Sequence, residues 1–255
     1  MPRARLIAAN WKMHKSISEA VEYAQEMRTA LPTLPASCDV VLIPSFFAVR
    51  PVVEALAGAR AWVGAQNLHW EARGAFTGEV SAAMVKDAGA MYVLVGHSER
   101  RHGLAETDPI VAKKLGAALG AGLTPILCVG ETLSEREGGL EDQVVERQLA
   151  VAFGDKSAED ARSTVIAYEP VWAIGTGHTA KVSDAVTMHR TIRAWVRERF
   201  GTPIAKALRI QYGGSVNPSN AADLLASDEV DGLLVGGASL DLASFLGIAR
   251  AVARS

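Results

Sequence analysis

Residues 164–177 read Thr-Val-Ile-Ala-Tyr-Glu-Pro-Val-Trp-Ala-Ile-Gly-Thr-Gly. Thr164–Tyr168 is a short run rich in β-branched residues, the composition of a buried strand. Pro170 ends it, because proline brings no N–H to a ladder of strands. From Ser183 the period changes. Met188, Ile192, Trp195 and Phe200 recur at helical spacing until Gly201 and Pro203 stop them. The stretch is therefore a strand, a polar turn, a loop and a helix, in that order.

The same unit recurs along the chain. Runs of the same kind are Leu6–Ala9, Val40–Ile43, Ala61–Ala65, Met91–Val95, Leu123–Val129, Leu208–Tyr212 and Gly232–Val235. After the first of them, Ala20, Ala24, Met27 and Leu31 keep helical spacing from Ser18 to Pro32. Eight strands alternating with helices over 255 residues predict a closed (β/α)8 barrel with eight parallel strands and an outer ring of helices, one domain spanning residues 1–255. An open doubly wound sheet is the alternative. It would carry a G-x-G-x-x-G turn after its first strand, where this chain has Ala9-Asn10-Trp11-Lys12. The Glu-rich stretch Ser134–Glu141 reads as the solvated start of a helix.

Composition agrees with one large core. Half the residues, 49%, are hydrophobic, and a chain of this size can bury roughly 70% of its unfolded surface without disulfide or metal. A net charge of −2, from 26 basic and 28 acidic residues, points away from nucleic acid and from anionic membranes. An anionic substrate would have to be captured locally. Cys38 and Cys128 stand apart, with no Cys-x-x-Cys pair. No signal-type or membrane-length apolar run is visible, so a cytoplasmic location is expected.

In a barrel of parallel strands, one mouth collects the residue after every run. Here these are Asn10 and Lys12, Pro44-Ser45, Gln66-Asn67, Gly96-His97-Ser98-Glu99, Gly130-Glu131, Glu169-Pro170, Gly213-Gly214-Ser215 and Gly236-Gly237-Ala238-Ser239. Lys12, His97 and Glu169 thus converge from three strands as a general acid–base set. Singly, each has a plain structural reading, and Lys12 could simply pair with Glu99. The double glycines after the seventh and eighth runs allow backbone N–H groups to approach a phosphate closely.

Two loops stand out. Pro170, Val171, Trp172, Ala173, Ile174, Gly175, Thr176 and Gly177 place apolar residues between hinge-forming ones beside Glu169, which suggests a lid that excludes water; a loop packed permanently on the barrel has the same composition. Gln66–Glu79 is long and carries Trp70 and Phe76, expected at the surface and suited to docking into a second subunit or to folding over its own barrel. Gly96-His97-Ser98-Glu99-Arg100 fails as a nucleophile elbow, since Arg100 stands in place of the closing glycine. The six histidines form no H-E-x-x-H pattern, and no metal site is expected.

Six stretches together carry a resemblance: Asn10-Trp-Lys-Met13, Gly74-Ala-Phe-Thr-Gly-Glu79, Val95-Gly-His-Ser-Glu-Arg-Arg101, Ala167–Gly177, Tyr212-Gly-Gly-Ser-Val216 and Leu234-Val-Gly-Gly-Ala-Ser-Leu240. They resemble the triosephosphate isomerase family from one end of the chain to the other. The resemblance implies Glu169 as catalytic base, His97 as neutral electrophile, Lys12 as cationic contact and Asn10 as a further polar contact. It implies backbone amides at Gly175, Ser215, Gly236 and Gly237 for the substrate's phosphate. Ile174 and Leu234 match the apolar pair over the glutamate, and Thr77 matches a residue that reaches the partner's site in a homodimer. The implied reaction interconverts two triose phosphates by proton transfer, without cofactor. His178, Ala105 and His14 depart from the family's usual residues at noncatalytic positions. A Schiff-base aldolase would instead need Lys12 as nucleophile. A non-catalytic phosphometabolite-binding module would be expected to lack Glu169 or His97, and both are present.

Overall fold

A computed structural model describes residues 3–174 and 180–254. Its strands are β1 (Arg5–Asn10), β2 (Cys38–Ile43), β3 (Trp62–Ala65), β4 (Tyr92–Val95), β5 (Thr124–Val129), β6 (Val165–Tyr168), β7 (Ile210–Tyr212) and β8 (Gly232–Val235). Each is parallel to its chain neighbours, and β8 returns to β1, so the sheet is a closed (β/α)8 barrel. Every strand lies within two residues of the run that predicts it.

Alternation along the strands divides the core into two layers. Leu6, Ala8, Val41, Ile43, Leu94, Ile126, Cys128, Val165, Ala167 and Leu234 pack together inside the barrel. Their neighbours Ile7, Ala9, Val40, Leu42, Val93 and Ile166 face the helices. The interior is filled by side chains and is no pore. Where β8 meets β1, Leu6 pairs with Gly232. A Cβ at Gly232 would lie 2.0 Å from the Leu6 carbonyl oxygen, so the join requires glycine.

The helices obey their local signals. Ile17–Ala30 begins at Ser16, whose hydroxyl accepts from the Glu19 N–H while Glu19 reaches back to the Ser16 N–H. Such a capping box stabilises a helix by about 1 kcal/mol. Val182–Phe200 ends at Gly201, with φ 89°. The stretch Ser134–Glu141 is not one helix start. Leu133–Glu137 is a short helix, Gly138-Gly139 turns, and Glu141–Phe153 follows; Gly139 has φ 66°, which breaks the helical path. No helix among the described residues is long and apolar enough to cross a membrane.

At the end where the strands begin, Asp231 is almost fully buried and takes both Arg3 and Arg193, the latter at 2.6 Å. With two arginines and the Ile210 N–H on it, the buried carboxylate stays compensated.

Candidate active site

The carboxyl ends of the strands bring their side chains to one mouth. Glu169 follows β6 and is 2% exposed. Its backbone N–H donates to Val129 O at 2.8 Å, which fixes it beside β5. Two glycines make room for it. A Cβ at Gly130 would lie 1.8 Å from the Glu169 carbonyl oxygen, and one at Gly213 would lie 2.9 Å from Glu169 Cγ.

His97 follows β4 and caps the helix Ser98–Gly103. Its Nδ1 accepts the Glu99 N–H at 3.2 Å. An accepting Nδ1 carries no proton, so the neutral ring holds its proton on Nε2. That atom faces Glu169 Oε1 at 3.0 Å. The other carboxylate oxygen, Oε2, accepts the Ser98 N–H at 2.9 Å.

Lys12 comes from the turn after β1, where its φ is 51°. Its N–H donates to Asn10 Oδ1 at 3.1 Å, and its carbonyl accepts from Gln66 Nε2 at 2.7 Å. The ammonium pairs with Glu99 Oε1 at 2.6 Å, a pair open to solvent on its Glu99 side. Asn10, Lys12, His97, Glu169, Ile174, Ser215, Leu234, Gly236 and Gly237 line one cavity of about 300 Å³. A larger hollow of about 440 Å³ lies beside Leu31, Ala36 and Arg60. It belongs to the face where strands begin, which serves stability in this architecture. Among the described residues, no group of three or more His, Cys, Asp and Glu side chains is placed to hold a metal ion.

The triosephosphate isomerase family model matches residues 5–252. The chain belongs to the triosephosphate isomerase family. It is 49% identical to the triosephosphate isomerase of Carboxydothermus hydrogenoformans, over 97% of this chain and 98% of that one. Identity to the enzyme of Prosthecochloris aestuarii is 48%, over 99% and 100% of the two chains. With that of Acetivibrio thermocellus it is 48%, over 98% and 99%.

In this member of the triosephosphate isomerase family, the segment after Glu169 is tied down through Glu131. Val171–Ala173 form a single 3-10 turn. Glu131 Oε1 accepts from Trp172 Nε1 at 2.7 Å and from the Tyr168 hydroxyl at 3.0 Å. The Arg136 guanidinium lies over the Trp172 ring at 5.3 Å. Burial pushes the Glu131 carboxyl above the ordinary range, opposed chiefly by the Trp172 hydrogen bond. The role of Glu131 as an anchor leaves no mark in sequence order, since it occupies a strand end like the catalytic candidates. Gly175, Thr176, Gly177 and His178 lie outside the described residues.

The Gln66–Glu79 loop differs in part from expectation. Trp70 is half-buried, not exposed: it stacks on His69 with centroids 4.1 Å apart, and Lys113 lies 5.4 Å from its ring. Phe76 is 43% exposed, with its ring centroid 4.3 Å from that of His69. Met13 and Leu104, both exposed, line a second cavity of about 280 Å³ that shares Asn10, Lys12, His97 and Glu99 with the first.

Proposed function

We propose that this mouth interconverts dihydroxyacetone phosphate and D-glyceraldehyde 3-phosphate through an enediolate. One observation carries the reading beyond family membership: a buried carboxylate, an imidazole whose Nε2 faces it and an ammonium group line one cavity with a glycine-rich edge.

The steps follow from those groups. Glu169 removes a proton from the carbon α to the substrate carbonyl. Lys12 and the His97 Nε2–H bear on the oxygen where negative charge grows, and Asn10 adds a polar contact. A proton then passes from the hydroxyl oxygen to the former carbonyl oxygen, and Glu169 returns the carbon proton to the former carbonyl carbon. Electrons and atoms balance within one molecule, so the reaction calls for no redox cofactor. The carboxylate must first release Ser98 and His97, since both of its oxygens are engaged there. Backbone amides at Ser215, Gly236 and Gly237, with Gly175, hold the phosphate. Pro170–Gly177 act as the lid, with Ile174 and Leu234 as its apolar contact over the glutamate.

The single domain of residues 1–255 works as a homodimer or a tetramer of such dimers. Gln66–Glu79 of one subunit enters the partner's second cavity, where Met13 and Leu104 are uncovered. The setting is the cytoplasm, in glycolysis and gluconeogenesis. A coupled assay with dihydroxyacetone phosphate tests the reaction, and borohydride with substrate tests the aldolase alternative by trapping at Lys12. Sedimentation at micromolar concentration tests assembly: a fully active monomer would remove the dimer from this reading.

A further inference from the structure

We propose that Tyr23 and Lys15 are positioning residues for the substrate's phosphate, acting through the loop Gly236–Leu240. The inference rests on the reading that Gly236 and Gly237 hold that phosphate.

Two glycines and an alanine supply most of the loop, so no long side chain grips the anion from within it. The direction of its amides depends on how the backbone is held. Part of the hold is internal: Ser239 donates to Gly236 O twice, from its N–H at 2.8 Å and its hydroxyl at 2.7 Å. The rest comes from outside. The Tyr23 hydroxyl donates to Ser239 O at 2.9 Å, and Lys15 Nζ donates to Leu240 O at 3.0 Å. Two consecutive carbonyls are thereby held by side chains that do not line the cavity. Peptide units are planar, so fixing these two limits the rotation of the turn that leads into them.

The donors are themselves held. Tyr23 is buried on the helix Ile17–Ala30 and packs edge-on against Trp11 at 4.9 Å. The Lys15 ammonium lies 4.7 Å from the Tyr23 ring and 5.5 Å from Trp11. Lys15 adopts φ 71°, a conformation that side-chain-bearing residues seldom take. This arrangement joins the end of β1 and the turn after it, which bear Asn10 and Lys12, to the turn after β8. Lys15 also brings a positive charge onto the loop read as holding the anion.

The test measures kcat, KM and the competitive inhibition constant of inorganic phosphate for the full chain. Tyr23→Phe removes one oxygen and keeps the ring. Lys15→Met removes the charge and keeps the length of the stem. Each is expected to raise KM and the phosphate inhibition constant by about 2–10-fold, the worth of one hydrogen bond, while kcat stays within about twofold. Gly236→Val is measured in parallel. If Gly236→Val weakens phosphate and the other two folded variants do not, this inference falls and the phosphate loop stands. If Gly236→Val also leaves phosphate unaffected, the loop reading itself falls. A lowered kcat with unchanged phosphate inhibition in Tyr23→Phe and Lys15→Met would likewise overturn the inference, since it assigns the pair to another step. Either variant decides if the other fails to fold.

Discussion

Nε2 of His97 lies 3.0 Å from Oε1 of Glu169. The proposed base and the imidazole are thus hydrogen-bond partners, and the Ser98 N–H takes the second carboxylate oxygen. Glu169→Gln preserves the volume but turns one acceptor into an NH2 that faces a donor. A stability loss of about 1–3 kcal/mol is expected from that mismatch. The kinetic effect is larger. Removing a positioned base should lower kcat by at least ~10²–10⁴, or about 3–5 kcal/mol of barrier. Wild type, with EDTA present, should exchange a substrate α-proton with D2O, and the folded variant should barely do so. Near-normal exchange in Glu169→Gln would move the base elsewhere. Glu131 is then the next carboxylate to test, although its Trp172 and Tyr168 bonds argue against it.

Gly236 and Gly237 are not equivalent. A Cβ at Gly236 would come 3.3 Å from Lys12 Cε, whereas one at Gly237 would meet nothing within 4 Å. Gly236→Val should therefore disturb the lysine as well as the phosphate, raising KM by about tenfold or more. Gly237→Ala should be milder. Steady-state kinetics of the two variants give the comparison, and equal effects would contradict this account.

Ala105 has φ 53°. An L-residue with a Cβ loses roughly 1–2 kcal/mol in that conformation, and glycine escapes the penalty while losing about 0.5–1 kcal/mol of chain entropy. Ala105→Gly should therefore stabilise the fold by about 0.5–1 kcal/mol. For a chain of this size that is about 1–4 °C in Tm. Calorimetry showing a lower Tm would refute the strain.

His189 is fully buried, its Nδ1 bonded to Glu229 O at 3.0 Å and its ring edge-on to Tyr168 at 6.1 Å. Burial lowers its titration from 6.5 to about 4. The unfolded chain takes up this proton below pH ~6.5 and the folded chain does not until about pH 4. The contribution of His189 to stability is thus complete above pH ~6.5 and fades as pH falls toward 4. Its full extent is on the order of 3 kcal/mol. Urea unfolding at several pH values should show the decline, and His189→Gln should flatten it. An equally steep decline in that variant would assign it to other groups.

What could be read in advance follows from what side-chain identity encodes. β-branched runs mark strands because burial on both faces demands them, so the barrel and its mouth were legible, as was the pairing of Lys12 with Glu99. Contacts made by the backbone were not. Ser98 holds Glu169 through its N–H, which any residue but proline supplies. Gly130 and Gly213 act by lacking a side chain near Glu169, and nothing in their spacing separates them from ordinary turn glycines. Trp70 is half-buried because its cover, His69 and Lys113, comes from the same loop and from a distant helix, which composition does not reveal. Nothing in the composition around Ala105 marks its φ of 53°, a conformation that glycine adopts without strain.

The pairing of Leu6 with Gly232 has a consequence for how the protein is made. β1 leaves the ribosome first, yet one of its two neighbours is the last strand synthesised. At ordinary elongation rates that interval is roughly ten to forty-five seconds. Until it ends, the nascent chain holds an open sheet with two bare edges, the arrangement most prone to join with other chains. The final strand covers both edges at once. A chain cut before Gly232 would therefore be no smaller version of the enzyme but a sticky fragment, and a side chain at residue 232 would do its harm at the last moment of assembly.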